Sequence, residues 1–411
     1  MQRPTTYQIR VRGHLGDELA RRFDGFTVSS EPNGETVLTG SGLDQAALHA
    51  VIKRVQALGL ELVSVNDIGG RRMKAAIHTR YGGPEVVSVR TVDAPVPARG
   101  EVLVRVAAAS LNAADLLAIS GTPVFVRFGS GLFRPRNTTP GTDVAGTVEA
   151  LGADVTELAV GDRVAGDLSP TGRGAFAELA VTRPEVLARL PDGVSAEDAA
   201  ALPMAAVTAY QALVDTARVE AGERVLIDGA SGGVGTFAVQ IAKARGAHVT
   251  AICSESKAEI AREAGADVVL ARGVTIGDGT GDDVLFDVIY AVNGRYSLRE
   301  YDAVLAPRGR FVMTGGSGGL AGQVMLQGRR REKQTGRPHT FVQMRPNAAD
   351  LAAVLEMARA GQIRPVIDRR LTLDEITSGL DYLKAGKARG KVVVTITPSA
   401  DAESHVERSN S

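Results

Sequence analysis

Four glycines fall within seven residues, Gly229 to Gly235, between the apolar run VLID and the helical stretch TFAVQIAKAR. Few folds accept that pattern. A strand that ends in a glycine turn and feeds directly into a helix opens a βαβ unit and gathers main-chain N–H groups at one point. Arg224 to Asp228 read as the strand and Thr236 to Arg245 as the helix. Gly229, Gly232 and Gly235 give G-x-x-G-x-x-G, one residue longer than the usual dinucleotide fingerprint. The missing side chains permit a tight turn and the close approach of a diphosphate, and the helix N-terminus adds its partial positive charge. A triphosphate loop would need Gly-Lys-Ser/Thr entering the helix, and Gly235-Thr236-Phe237 does not supply it. The turn predicts a dinucleotide site with Ser231, Gly232, Gly233, Val234 and Gly235 around the phosphates.

The end of the second strand selects the cofactor. Sites specific for NAD place an acid about 20 positions after the glycines, on the ribose 2′-hydroxyl. Here Ser254 stands at that place, followed by Lys257. A hydroxyl and an ammonium suit a 2′-phosphate, so NADPH is the expected cofactor, with Glu255 arguing mildly the other way. Ser254 also reads as a helix N-cap and Lys257 as a solvated first-turn residue.

From about Ala196 strands alternate with helices: RVLIDGA, TFAVQIAKARG, HVTAICS, KAEIAREAG, DVVLA, FDVIYAV and RFVMTGG. That alternation predicts an α/β domain with a doubly wound parallel sheet over residues 196–338. Residues 73–195 differ: MKAAIHTR, EVVSVRTV and EVLVRVAAASL are short strands separated by Gly-Gly-Pro and proline-rich turns, which predicts a partly closed β-domain. Residues 339–397, ending in GKVVVTI, are expected to return to it, and the polar tail 398–411 to be disordered. Residues 1–70 form a separate pattern. YQIRVRG, GDELARRF, FTVSS, ETVLTG, DQAALHAVIKRVQALG and LELVSV read as βαββαβ, with Pro32-Asn33-Gly34 at the hairpin. This order predicts a small ferredoxin-like α+β module, joined through the hinge Gly69-Gly70-Arg71-Arg72. It has no glycine-rich loop and its His14 and His49 are isolated, so packing or dimerisation is a plainer role for it than ligand sensing.

Composition removes other classes. Among 411 residues, 47 basic ones balance 47 acidic ones, so no net charge draws the chain to nucleic acid or anionic lipid. No run is long and apolar enough to span a membrane. Cys253 is the only cysteine, which excludes an internal disulfide and a thiolate zinc cluster and suits a reducing compartment. MQRPTTYQIR lacks the apolar core of a signal peptide, so the cytoplasm is the expected location. Specificity is left to a pocket. The loop Thr122 to Thr139 mixes Phe125, Phe128 and Phe133 with Arg127, Arg134 and Arg136 and is expected to overhang it.

From Met73 to Ile396 the chain resembles the zinc-independent medium-chain dehydrogenase/reductases of the quinone oxidoreductase, zeta-crystallin-like branch. The stretches that carry this are MKAAIHTRYGGPEVV, EVLVRVAAASLNAADL, PGTDVAGTVEALG, AALPMAAVTAYQAL, the glycine-turn segment and ARGKVVVTI, in that order. The resemblance implies a GroES-like catalytic domain around a Rossmann domain, with the active site in the cleft between them. Zinc-dependent relatives carry a cysteine near N-A-A-D, a His-Glu pair after the glycine of P-G-T-D and a four-cysteine lobe. Ser110 to Asp115 and Thr142-Asp143 stand in the first two places and the lobe is missing, so no metal is expected. His78, His248 and His339 read as surface or packing residues.

The implied activity is hydride transfer from NADPH to a quinone or an α,β-unsaturated carbonyl, a small hydrophobic acceptor. Asn112 matches an active-site position, where its amide would meet developing negative charge or orient the nicotinamide. Asn112-Ala113-Ala114-Asp115 also reads as a helix start capped by Asp115. Relatives often have an aromatic residue just after that Asp, and Leu116-Leu117 replace it, which leaves protonation to solvent. Tyr81 is a second candidate, set against simple packing beside a Gly-Gly turn. Thr208, Gly315 and Gly316 match positions near the nicotinamide and Phe341 a pocket wall, although a helix hydroxyl, a tight loop and a core aromatic would use the same residues. Arg310 to Thr314 is implied as an edge through which two copies form a homodimer. An NAD(P)-dependent alcohol or aldehyde oxidoreductase and a non-catalytic NADPH-binding regulator are the alternatives.

Overall fold

The computed structural model describes residues 5–20, 23, 25–31, 34–43, 45–67, 71–124, 126–172, 174–276, 284–315 and 318–396. The Gly69-Gly70 hinge, Pro32 and Asn33, Phe125, Gly316 and the tail expected to be disordered lie outside the described residues.

The N-terminal module runs β1 (Thr5–Arg12), α1 (Asp17–Ala20), β2 (Phe26–Ser30), β3 (Glu35–Leu43), α2 (Gln45–Ala57) and β4 (Leu62–Asp67). Its sheet has the order β2-β3-β1-β4, antiparallel throughout, as a βαββαβ chain of ferredoxin-like type requires. Leu48, Val51 and Val55 repeat at helical spacing on α2 and close over Ile9, Val11 and Leu38 of the sheet.

The β-domain begins with β5 (Arg72–Ile77) and β6 (Ser88–Asp93), a two-stranded ribbon. There follow β7 (Val102–Leu111), α3 (Ala113–Ser120), α4 (Val126–Ser130), β8 (Asp143–Leu151), β9 (Arg163–Asp167), β10 (Leu179–Thr182) and β11 (Leu187–Arg189). Then α5 (Ala196–Ala200) and α6 (Pro203–Tyr210) lead into the parallel sheet.

That sheet is built from β12 (Arg224–Asp228), α7 (Gly233–Ala244), β13 (His248–Cys253), α8 (Ala258–Glu263), β14 (Val268–Ala271), β15 (Phe286–Ala291), α9 (Leu298–Val304), β16 (Leu305–Met313), α10 (Gly318–Thr335) and β17 (His339–Phe341). The strand order β14-β13-β12-β15-β16-β17, all parallel, is the doubly wound dinucleotide-binding order. Its central strands β12, β13 and β15 are buried on both faces. Val225 and Ile227 of β12 point into one apolar layer with Phe237, Val239 and Ile241 of α7, while Leu226 points into the other with Ile289 and Tyr301. Because β17 covers β16, the segment Arg310 to Thr314 is not the sheet's edge; the outer strand on that side is His339–Phe341.

The chain then crosses back through α11 (Ala348–Arg359), β18 (Ile367–Thr372), α12 (Ile376–Lys384) and β19 (Lys391–Thr395). Strand β19 inserts beside β7, completing a sheet of order β11-β9-β8-β7-β19-β18 with β10 also on β7. GKVVVTI thus returns to the β-domain and carries the first residue of β19, Lys391, to the boundary with the parallel sheet.

Candidate active site between the two sheets

The glycine turn is shaped by three different needs. Gly229 has φ of +92°, a left-handed backbone that disfavours any side chain. At Gly235 a Cβ would lie 2.1 Å from the Gly229 carbonyl oxygen, so only glycine lets α7 pack this close to the turn. A Cβ at Gly232 would meet nothing nearer than 3.6 Å, which leaves its outer side open to a ligand. Helix α7 starts at Gly233, three residues before the expected Thr236, because the first turn needs the glycines as much as the loop does. The N–H groups of Gly233, Val234 and Gly235 therefore sit in a first helical turn, where no carbonyl of the helix reaches them. A diphosphate fits this cradle on these grounds. Ser231 is buried behind it, against Cys253 at the end of β13.

Asn112 sits at the N-cap of α3, at the end of β7 and facing β19. It is buried in a polar network. Its Nδ2 donates to Asp143 Oδ2 at 2.9 Å and to Thr142 Oγ1 at 3.2 Å, and its Oδ1 accepts from Lys391 Nζ at 2.7 Å. Asp143 Oδ2 also takes Ser110 Oγ at 2.8 Å and the Lys391 ammonium at 3.3 Å, while its Oδ1 accepts the N–H of Met204 at the start of α6. The Lys391 and Asp143 side chains are 3% and 0% exposed, so this is a fully enclosed ion pair satisfied by additional hydrogen bonds. The stem of Lys391 reaches the cofactor turn: a Cβ at Gly233 would be 3.1 Å from Lys391 Cδ.

Two further carboxylates border this cluster. Asp115 accepts the N–H of Asn112 at 2.7 Å, the capping bond expected of it, and its Oδ1 has no partner. Burial drives its pKa up to about 8 despite that bond. Asp167 lies directly across from Asp143 in the β8–β9 ladder, and burial together with that like charge raises it to about 6.

At the end of β13, Ser254 is half-buried in an N-cap position, yet its hydroxyl makes no capping bond. Lys257 is not a freely solvated residue: its Nζ donates to the carbonyls of Gly386 at 3.1 Å and Ala388 at 2.5 Å, on the loop that precedes β19. Burial pulls its pKa below the usual lysine range; Asp368 opposes this, and Arg272 and Arg389 reinforce it. Arg272, immediately after β14, thus adds charge to this corner.

The remaining candidates stand on other elements. Thr208 is buried on α6 and its hydroxyl bonds back to the Met204 carbonyl at 2.6 Å. Gly315 has φ of +69° at the exit of β16, and Phe341 ends β17 half-buried against the apolar layer; Gly316 lies outside the described residues. Tyr81 packs under Arg127, and its hydroxyl meets Ser130 Oγ and the Gly131 carbonyl, so it fastens the arginine-rich loop. Phe128 and Phe133 on that loop are 74% and 87% exposed. His78 and His339 are buried, the latter bonded to Asp302, and His248 is exposed. Among the described residues no group of three or more His, Cys, Asp or Glu is placed to hold a metal ion.

Sequence reasoning missed Lys391, Asp143, Asp167 and Arg272. A charged residue heading the apolar run VVVT is a usable signal for Lys391; Asp143 reads from the sequence only as the residue standing in place of a zinc ligand.

Comparison with known proteins bears on the whole arrangement. Residues 98–192 match the alcohol dehydrogenase GroES-like domain, residues 264–394 the family described as zinc-binding dehydrogenase, and residues 6–66 a domain of unknown function. A quinone oxidoreductase of Pseudomonas aeruginosa is 34% identical over 331 residues, 76% of this chain and 97% of that protein. The chloroplast envelope quinone oxidoreductase homolog of Arabidopsis thaliana is 30% identical over 80% of this chain and 99% of its own length. The quinone oxidoreductase structure from Coxiella burnetii superposes with a TM-score of 0.70 at 26% identity, covering 79% of this chain and 99% of that one. Glycine turn, strand order and the polar cluster between the sheets thus occur in a chain that belongs to the medium-chain dehydrogenase/reductases, in their quinone oxidoreductase branch, and is an NAD(P)-dependent oxidoreductase of small molecules.

Proposed function

We propose that this protein is an NADPH-dependent reductase of quinones or α,β-unsaturated carbonyls that works without a metal. The observation that carries the reading is the juxtaposition of the open glycine turn with Asn112 and Lys391, a polar cluster that holds no metal-ligand set among the described residues. When bound, the reduced nicotinamide supplies a hydride. The chain's own groups do the rest. First-turn amides of α7 would hold the diphosphate, and Ser254, with the charges of Lys257 and Arg272 beside it, would meet the 2′-phosphate. Hydride arriving at the β-carbon of an enone, or at a quinone, leaves negative charge on the acceptor oxygen. Asn112 meets that oxygen by exchanging its weaker Nδ2 contacts, those to Thr142 Oγ1 at 3.2 Å and the Ser110 carbonyl at 3.5 Å, and the Lys391 charge behind it favours the anion. Solvent then protonates the oxygen or the adjacent carbon.

The test is turnover of NADPH and NADH with a quinone, an enone and an aldehyde, together with metal analysis. Oxidation of NADPH by the first two acceptors, and little by the aldehyde, is expected. Lys257→Ala should raise KM for NADPH by about tenfold and leave NADH within about twofold. Turnover confined to NADH and aldehyde, or stoichiometric zinc in active protein, would overturn the reading.

A further inference from the structure

We propose that Lys391 is a positioning residue that sets the amide of Asn112 and ties it to the cofactor turn; this rests on the reading of the cleft given above. Two contacts of one side chain carry the argument. At its tip, the ammonium donates to Asn112 Oδ1 at 2.7 Å and pairs with Asp143 at 3.3 Å. Along its stem, Cδ lies against Gly233, where even one added carbon would stand 3.1 Å away.

An asparagine amide has two orientations that differ only in which end donates. Lys391 can only donate and the Asp143 carboxylate can only accept, so the ammonium fixes the Oδ1 end as the carboxylate fixes the Nδ2 end: Oδ1 turns to Lys391 and Nδ2 to Asp143 and Thr142. Without the ammonium, Asn112 would lose its acceptor's partner and Asp143 its counter-charge inside an enclosed site. The stem contact adds a second consequence. Gly233 opens α7, whose first-turn amides face the diphosphate, so the residue that orients Asn112 also rests on the turn that holds the cofactor. Any displacement of that turn is felt at the amide through a single saturated chain.

The test uses the full chain labelled with ¹⁵N in asparagine, the Asn112 side-chain NH₂ signal being assigned by its loss in Asn112→Ser. In Lys391→Met that signal is expected to shift and to exchange faster with solvent while the other asparagine amides stay in place. With an acceptor that the wild type reduces, kcat should fall by about tenfold or more and KM for NADPH by no more than about threefold in either direction. A general packing defect would not single out one amide. Gly233→Ala supplies the second variant, which decides the matter if Lys391→Met does not fold: it touches no atom of Asn112, yet should move the same signal by pushing the lysine stem. An Asn112 signal unchanged in Lys391→Met, or in Gly233→Ala where that variant must decide, overturns the proposal. Absence of NADPH oxidation by the wild type would instead retire the functional reading, and the amide signal would still decide the role of Lys391.

Discussion

Asp115 is enclosed at the start of α3 with one carboxylate oxygen bonded to Asn112 N–H and the other without a partner. Burial holds its pKa up at about 8, whereas in an unfolded chain it would lose its proton near 4. The folded form therefore binds the extra proton between those values. Stability from this group is fully present below the unfolded pKa and is lost as pH rises through about 8, with Asp167 adding to the same slope up to about 6. Asp115→Asn keeps an acceptor for the Asn112 N–H and removes the titration. Thermal melts should show the variant level with or slightly below wild type at pH 5 and above it at pH 9. Parallel curves across that range would disprove the assignment. At this scale the sequence was readable where one residue answers to its own backbone: Gly229 and Gly235 are glycines for local reasons and were found as such. It was opaque where a residue answers to a distant one. Lys391 meets Asn112 across 279 positions, and its one local signal, a charge heading the apolar run VVVT, does not name that partner.

Elements follow the same division. The alternation of strands and helices from Ala196 onward is readable as the parallel sheet, since each central strand is an apolar run buried on both faces. The end of that sheet was less visible: HTF is only three residues, too short to announce a strand, and it displaces Arg310 to Thr314 from the edge. The arginine-rich loop was recognised by composition, but its attachment was not. It is held from outside itself by Tyr81, whose ring lies under Arg127 and whose hydroxyl reaches Ser130 and Gly131. Tyr81→Phe removes the two hydroxyl contacts and keeps the ring. Cleavage by trypsin at Arg127 and Arg136 should become about threefold faster or more, because opening of the loop costs about 1 kcal/mol less. KM for the acceptor should rise while KM for NADPH stays where it was. Unchanged cleavage would mean that the ring alone fastens the loop.

At the scale of the molecule, two folding units of different kinds share one chain. The apolar cluster of the N-terminal module draws on Ile9, Val11, Leu15, Phe23, Leu38, Leu48, Val51 and Val55, with surrounding residues that also fall between Tyr7 and Val65. The quinone oxidoreductase relatives match over nearly their whole length without accounting for this module, and it has a family match of its own at residues 6–66. A domain of about 60 residues has a small core and modest stability, whereas the two-sheet body buries layers on both sides of its parallel sheet. The cleft residues Asn112, Asp143, Gly233 and Lys391 all belong to the body. A chain beginning at Arg71 should therefore fold, keep its affinity for NADPH within about threefold, and keep the main melting transition within about 2 °C of the full chain's. Calorimetry would resolve the separate contribution of the module as the transition lost on truncation, and sedimentation would report whether subunit association goes with it. Retained cofactor binding with a lower association state assigns assembly to the module; loss of NADPH binding in a folded truncated chain would place the module in the cleft and refute the independence argued here.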